Sequence, residues 1–505
     1  MAIARLRTIA LSGLAGNLVE VEVDISDGLP SYTLLGLPDA ALQESRDRVR
    51  AALVNSGFPW PNKKVTVSLS PAWLSKSGSH YDLPIALGLL IAQGLLVNNH
   101  SDGSVVLGEL ALDGEIRAVR GVLPSLIAAL NFAADWAIVP QGNIAEARAV
   151  PGISSYGFST LQTLIQYFTT GELEEQGRCV SAEEDSPKLD LVDVIGQGQA
   201  RRALEIAAVG GHHILMIGPP GTGKTMLAER LPSILPPLSP SKSLEVSAIH
   251  SVSGSFRRSS HLEVSPPFIA PHHSSTMVAM IGGGSHAVKP GAVSLAHGGV
   301  LFIDEAPECG SGVLDSLRQP LESGTVTISR AVGTVTYPAK FLLVLAANPC
   351  PCGKFNGKGR LCTCSSLQIR NYLKKLSGPL LDRIDIRTFV EAPSRLEMSS
   401  DIAGESSATI RLRVEAARDR ARKRFLECGW ELNSEIPSSA LRGPFKAERD
   451  GMSMLHSELD GERLSARGFH KVLRVAWSIA DLHEHERPTL HDVEAAYLLR
   501  DGTLL

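Results

Sequence analysis

The chain has no apolar run long enough to cross a bilayer. Its most apolar stretch, "LPIALGLLIAQGLLV" (83–97), is shorter than the ~20 residues a spanning helix needs, and two glycines and Gln93 interrupt it. It reads as a buried helix, and no membrane partner is expected. The opening residues, "MAIARLRTIALSGLAGN", carry two arginines but no sustained apolar core, so no signal peptide is expected. There is no basic excess either: 49 Lys and Arg stand against 53 Asp and Glu, a net charge of −4. No global field advertises nucleic acid, and any such contact must come from local patches or from loops lining a channel. Internal repeats and low-complexity tracts are absent. Cysteine is scarce: there are seven, an odd number, and four fall within fifteen residues. That pattern suits a reducing cytoplasm with a local metal site better than a disulfide framework.

What remains is an ordinary globular composition, 44% hydrophobic and 20% charged, in 505 residues. That length accommodates about three domains. Residues 1–171 alternate strand-like runs ("VEVEVDI", "KKVTVSL", "WAIVP") with helical ones, which predicts an α/β domain. Residues 172–188 are acidic, polar and closed by proline, as a linker would be. Residues 189–392 again separate strands by helices, as a parallel sheet requires, and 393–505 read as helical.

The central segment holds "ILMIGPPGTGKTMLAERL" (214–231), an apolar strand, a glycine-rich turn and a helical pattern. Gly218, Pro219, Pro220, Gly221, Thr222, Gly223, Lys224 and Thr225 complete the pattern G-x-x-x-x-G-K-[ST]. The glycines let backbone N–H groups turn inward around phosphates. Lys224 can reach the β and γ oxygens of ATP, and Thr225 can ligate Mg²⁺. Downstream, "GGVLFIDEA" (298–306) delivers Asp304 and Glu305 at a strand end, where parallel sheets bind ligands. Asp304 is placed to hold Mg²⁺ and Glu305 to orient the attacking water. A third strand, "KFLLVLAANP", ends in Asn348, where a γ-phosphate sensor would sit. "LSGPLLDRIDI" puts Arg383 just after a helix, and "LSARGFHKVL" puts Arg467 early in a later one.

These features in this order resemble the AAA+ ATPases. The resemblance implies that Arg383 reaches into a neighbouring subunit's site as a finger, that Arg467 contacts the γ-phosphate of its own subunit's ATP, and that the enzyme is a ring, a homo-hexamer. Two insertions narrow the branch. Lys224 and Asp304 are 80 positions apart and enclose a glycine-rich "MIGGGSHAVKPG". "SGTVTISRAVGTVTYP" reads as a hairpin turning near Ala331–Gly333, just before the sensor strand. "PFIAPHHSST", "LRQPLESGTVTISRA" and "AANPCPCG" further resemble the magnesium-chelatase-like ComM/YifB family. That resemblance implies a Lon-protease-like first domain, an AAA+ core with a helix-2 insert and a presensor-1 hairpin, and a C-terminal α-helical lid. It also implies a helicase driving branch migration in recombination and natural transformation, with single-stranded or branched DNA and recombination proteins as partners. Arg330 on the hairpin and Lys289 on the insert, in the stretch starting at His286, are the candidate DNA contacts. A chelatase-type ATPase subunit that remodels a protein partner is the alternative.

The Lon-like resemblance does not carry the protease chemistry. Asp82 stands about where the nucleophilic serine should be, Leu123, Pro124 and Ser125 about where the lysine should be, and Ser77 and Ser79 have no evident base. Protease activity is not expected. Cys350, Cys352, Cys362 and Cys364 form two C-x-C pairs nine residues apart. Four thiolates can close a tetrahedral Zn²⁺ shell; reduced thiols and a redox switch are the other readings. The basic run 411–424, with seven cations and two acids, is read as a solvated helix or subunit contact, with DNA contact as the alternative.

Overall fold

The computed structural model describes residues 3–37, 39–76, 78–96, 103–171, 189–256, 262–284, 288–330, 333–355, 362–395, 397 and 404–501. The linker 172–188, Ser77, His286 and the turn residues 331–332 lie outside them.

The first domain starts with a long hairpin, β1 (Ala4–Ser12) and β2 (Ala15–Ser26), paired from Ala4↔Val23 to Ser12↔Ala15. With β3 (Ser31–Leu35) and β4 (Lys64–Ser70) it forms a sheet of order β1-β2-β4-β3. Burial alternates along β4, so Val65, Val67 and Leu69 enter the core while their neighbours face outward. The apolar helix α1 (Asp82–Ala92) packs on this sheet, buried nearly throughout, as its composition predicts. A parallel three-stranded sheet follows, formed by β5 (Ser104–Val106), β6 (Trp136–Pro140) and β7 (Ser154–Phe158), with α2 (Val122–Asn131) leading into it.

The central segment is built on a five-stranded sheet. Its strands are β8 (Ile214–Ile217), β9 (Phe268–Ile269), β10 (Val300–Ile303), β13 (Leu342–Ala347) and β14 (Ile386–Phe389), in the order β9-β10-β13-β8-β14, all parallel. β8, β10 and β13 are buried at every position. Helices cover both faces of such a sheet, which is why these strands read as unbroken apolar runs. Between β10 and β13 stands the expected hairpin, β11 (Thr325–Arg330) with β12 (Gly333–Pro338), registered from Thr325↔Pro338 to Arg330↔Gly333. The helix before β10 is split. Met277–Ile281 and Ala292–Leu295 flank a short ladder, Gly282↔Pro290 and Gly283↔Lys289, which is the insert.

Two helices follow the phosphate loop: α3 (Lys224–Ile234) and α4 (Pro240–Ser253), the latter capped by Ser239, which accepts from the Lys242 N–H. The C-terminal region is helical and includes α5 (Ser407–Arg424), α6 (Ala466–His483) and α7 (Leu490–Asp501). One apolar cluster runs from Leu204, Leu227 and Leu231 of the core to Val414, Val472 and Ala476 of these helices. The C-terminal helices are therefore packed onto the central sheet segment, not tethered beside it.

The first domain is docked as well. The Gly121 N–H donates to the Ser251 carbonyl at 3.2 Å. The Ser251 hydroxyl donates to Glu146, which also accepts from the Leu123 N–H at 2.9 Å and from Asn143 Nδ2 at 3.0 Å. At the β1–β2 turn, Gly13 has φ +66° and approaches β12 so closely that a Cβ there would lie 2.4 Å from Val335 Cγ1. Only glycine fits this turn on both counts.

Candidate nucleotide site and its neighbours

The phosphate loop leaves the C-terminal end of β8 and enters α3 at Lys224. Gly218 is pressed against the backbone, with a Cβ position 2.3 Å from the Val390 carbonyl oxygen. Gly221 (φ +75°) has open space where a Cβ would be, and Gly223 (φ +86°) is the N-cap of α3. The first N–H groups of α3 have no preceding turn to donate to, so they are available to an anion.

Lys224 is nearly buried. Its ammonium donates to the Gly218 and Pro219 carbonyls at 2.7 and 2.8 Å and to Asn348 Oδ1 at 3.4 Å. Burial pushes its pKa below the ordinary lysine value, while Asp304 and Glu305 pull it back up. A desolvated ammonium held only by neutral oxygens is a receptor for phosphate. The Thr225 hydroxyl donates to Asp304 Oδ2 at 2.7 Å, and Asp304 Oδ1 accepts from the Glu305 N–H at 2.8 Å. A hydroxyl and a carboxylate so close together, beside an open anion cradle, fit Mg²⁺ carrying nucleotide phosphates. The structure thus brings Lys224, Thr225, Asp304, Glu305 and Asn348 to one sheet edge.

Two residues there escaped the sequence reading. His273, from the "PHHSST" stretch, sits with Nδ1 3.3 Å from Glu305 Oε2. Glu305 itself has φ +48°, an uncommon conformation for a non-glycine residue at a strand end. Gln197 reaches the loop from the other side and donates to the Thr222 carbonyl. Neither matches a spacing motif, because β9 and the turn before the Gly198–Gly210 helix meet the loop only in three dimensions.

Arg467 departs from expectation. It is not at its own phosphate loop but pairs with Asp382, the residue before Arg383. Both precede β14, which runs parallel to β8 with Ile214↔Ile386. They therefore lie at the N-terminal edge of the sheet, opposite the loop that follows Ile217. The cause is the docking of α6 against α5 and the Gly198–Gly210 helix, which no local pattern encodes. Arg383 donates to the Pro379 carbonyl at 2.7 Å and pairs with Glu322. Lys471 secures the segment by donating to the Arg383 carbonyl at 2.7 Å and pairing with the buried Asp385.

The insert and the hairpin touch. A Cβ on Gly282 would lie 2.8 Å from Ile328 Cδ1, one on Gly283 would lie 3.1 Å from Arg330 Nη2, and the Tyr337 hydroxyl donates to the Val288 carbonyl at 2.7 Å. Lys289 is the ladder partner of Gly283, so Arg330 and Lys289 converge, both exposed. The basic helix α5, in contrast, spends its cations within the chain. Arg413 pairs with Glu205 and Glu405, Arg418 donates to the Ala208 carbonyl, and Arg424 pairs with Asp481.

In the first domain, Asp82 is buried and bound by Arg48 at 2.7 and 3.1 Å. Burial pushes its carboxyl up to about 6 against the pull of that guanidinium. Ser79 donates to Glu109, Ser125 is buried within α2, and the buried Lys76 ammonium donates to the Pro71 carbonyl.

Comparison with known proteins agrees with this geometry. Residues 190–398 match the family model described as magnesium chelatase, subunit ChlI; 21–143 match subunit ChlI of Mg-chelatase, and 404–500 the ChlI C-terminal model. An uncharacterized protein of Mycobacterium tuberculosis is 47% identical over 501 residues, 99% of both chains. YifB of Escherichia coli is 41% identical over 507 residues, covering 99% of this chain and 97% of its own. Competence protein ComM of Haemophilus influenzae is 40% identical over 496 residues, 96% of this chain and 95% of its own. With a Lon-like α/β domain, a parallel phosphate-loop core carrying both insertions, and a helical lid, the chain belongs to the ComM/YifB family of magnesium-chelatase-like AAA+ ATPases.

Proposed function

We propose that this chain is an ATP-driven, ring-forming motor that moves branched DNA. The observation that carries the reading is the convergence of Arg330 and Lys289 on two touching hairpins, an exposed pair of basic tips built on the elements that flank the nucleotide strands. Neither residue has an ion-pair partner among the described residues, so both are available to phosphates. A relative named for competence, alike over nearly its whole length, supports a DNA substrate.

Hydrolysis would proceed as follows. Lys224 turns from the Gly218 and Pro219 carbonyls to the β and γ oxygens, and the N–H groups at the start of α3 bind the same phosphates. Thr225 and Asp304 would hold Mg²⁺, whose charge offsets that of the phosphates. Glu305, released from His273, orients a water for in-line attack and accepts its proton, while Asn348 fixes the γ end. Arg383 and Arg467 lie at the opposite sheet edge, so they would serve the site of the next subunit, most simply in a hexamer.

Phosphate contacts carry no base information. Binding should therefore be sequence-tolerant and should weaken steeply with salt. The test is a Holliday-junction or forked substrate assayed beside ATPase for the wild type and for Arg330→Ala/Lys289→Ala. The variant is expected to keep basal ATPase while losing DNA stimulation and branch movement. Branch movement at the wild-type rate would refute the pore-hairpin assignment. A wild-type ATPase indifferent to every DNA would favour the chelatase-type remodelling of a protein partner.

A further inference from the structure

The four clustered cysteines belong to no step above, yet they begin two residues after Asn348. Cys350 Sγ lies 3.4 Å from Cys352 Sγ and 3.6 Å from Cys362 Sγ, and Cys352 and Cys362 are 3.6 Å apart. With Cys364 the four sulfurs lie within 4.8 Å of one another. A disulfide needs about 2.05 Å, so none of these pairs is one. A tetrahedron with metal–sulfur bonds of about 2.3 Å has edges of about 3.8 Å, close to these separations. Backbone N–H groups are directed at three of these sulfurs. The N–H groups of Lys354 and Thr363 point at Cys352 sulfur, that of Cys364 at Cys362, and that of Cys352 at Cys364. Four soft, converging ligands with backbone donors to their sulfurs are a cage for a tetrahedral d¹⁰ ion.

The cage also touches the nucleotide loop. The Gly353 N–H donates to the Cys350 carbonyl at 2.9 Å, closing a turn in which Gly353 has φ +72°. A Cβ on Gly353 would lie 2.5 Å from Pro220 Cδ. The turn between the first two cysteines is thus seated on the phosphate loop, and the strand entering it ends in the residue that contacts Lys224.

We propose that Cys350, Cys352, Cys362 and Cys364 bind one zinc ion per chain, and that this site clamps the Asn348 segment against Pro220, holding the phosphate loop in its nucleotide-binding form. The clamp rests on the nucleotide reading of residues 218–225; the metal site does not. Without the ion, the cysteine turn keeps the Gly353–Cys350 hydrogen bond but loses its tie to Cys362 and Cys364, and the surface that backs Pro220 loosens.

The full-length protein, purified without added metal, is expected to contain one zinc per chain and no iron by elemental analysis. Cobalt in its place should give the absorption of a tetrahedral tetrathiolate site. Cys362→Ser/Cys364→Ser should lose the zinc and bind a fluorescent ATP analogue several-fold more weakly. Gly353→Ala should keep the zinc and weaken the same binding, because its methyl group pushes on Pro220. Should the cysteine variant fail to fold, wild type stripped by chelation should lose affinity and regain it when zinc is returned. Native protein with four freely titrating thiols and no metal overturns the site, as does iron in place of zinc. Zinc-free protein that binds nucleotide as tightly as the loaded form overturns the clamp. A zinc-loaded wild type that binds no nucleotide refutes the nucleotide reading and the clamp together, while leaving the metal count standing.

Discussion

Lys471 is the most informative single residue to remove, because one buried ammonium holds both Asp385 and the main chain of Arg383. Burial alone would raise the Asp385 carboxyl, yet Lys471 and His212 hold it far below the usual carboxylate range. In Lys471→Met that carboxylate keeps His212 at 3.4 Å, the nearby His213 and the more distant Arg500 and Arg474 guanidinia. Stripping one partner from a buried pair costs about 3–5 kcal/mol, and the remaining cations favour the lower figure. At roughly 2–4 °C per kcal/mol, the transition of the unit containing the ATPase core should fall by on the order of 10 °C. A depressed carboxyl contributes stability above its unfolded pKa and loses it as pH falls. The deficit should therefore be full at pH 7 and should close as the medium is acidified through the carboxylate range. Thermal melts of wild type and variant across that range measure it, with Asp385→Asn/Lys471→Met as the companion that removes the orphan charge and should recover part of the loss. ATP binding should survive, since the phosphate loop is at the other edge, while turnover falls with the loosened Arg383. A variant as stable as wild type at neutral pH would refute the account of this edge.

Lys224→Ala should abolish nucleotide binding, whereas Glu305→Gln should bind ATP and hydrolyse it about 10²-fold more slowly or worse, read by a fluorescent analogue and by phosphate release. Arg383→Ala should cost turnover by about 10³-fold with ATP binding retained; near-normal turnover would remove Arg383 from the finger role. His213 is half-buried, desolvation pushes its pKa down to about 4, and its Nδ1 accepts from the Leu343 N–H at 3.1 Å, so protonation opposes the fold. Stability should decline as pH falls from 6.5 toward 4, by up to about 3 kcal/mol from this group, and His213→Gln should flatten that slope in denaturant titrations.

Legibility followed the range of the interactions. The phosphate loop, the Asp304–Glu305 tip and the 325–338 hairpin were readable because neighbours in sequence make them: glycines at positive φ, an unbroken apolar strand, alternation around a turn. The cysteine quartet was readable as a cluster, though its seat on Pro220 was not. Arg467 was found as a residue but misplaced, since its address depends on how α6 docks. His273 carried no spacing signal, because its partner arrives from a strand that is its neighbour only in the sheet. Arg413, Arg418 and Arg424 of α5 looked free in sequence and are committed to acids and a carbonyl elsewhere in the chain.

The docking of the first domain has a practical consequence. Gly13 is wedged on Val335 at the base of the hairpin, while Gly121 and Glu146 grip Ser251 near the end of α4. A shortened chain beginning after residue 171 would not be a trimmed ATPase but one with two raw faces, an apolar patch beneath the hairpin and, on α4, the Ser251 hydroxyl and carbonyl left without their first-domain partners. Any movement of the hairpin during turnover must likewise be carried into the β1–β2 turn or break that contact. The N-terminal third of the molecule thus backs both the hairpin and α4, and a label placed there would report on any displacement of either.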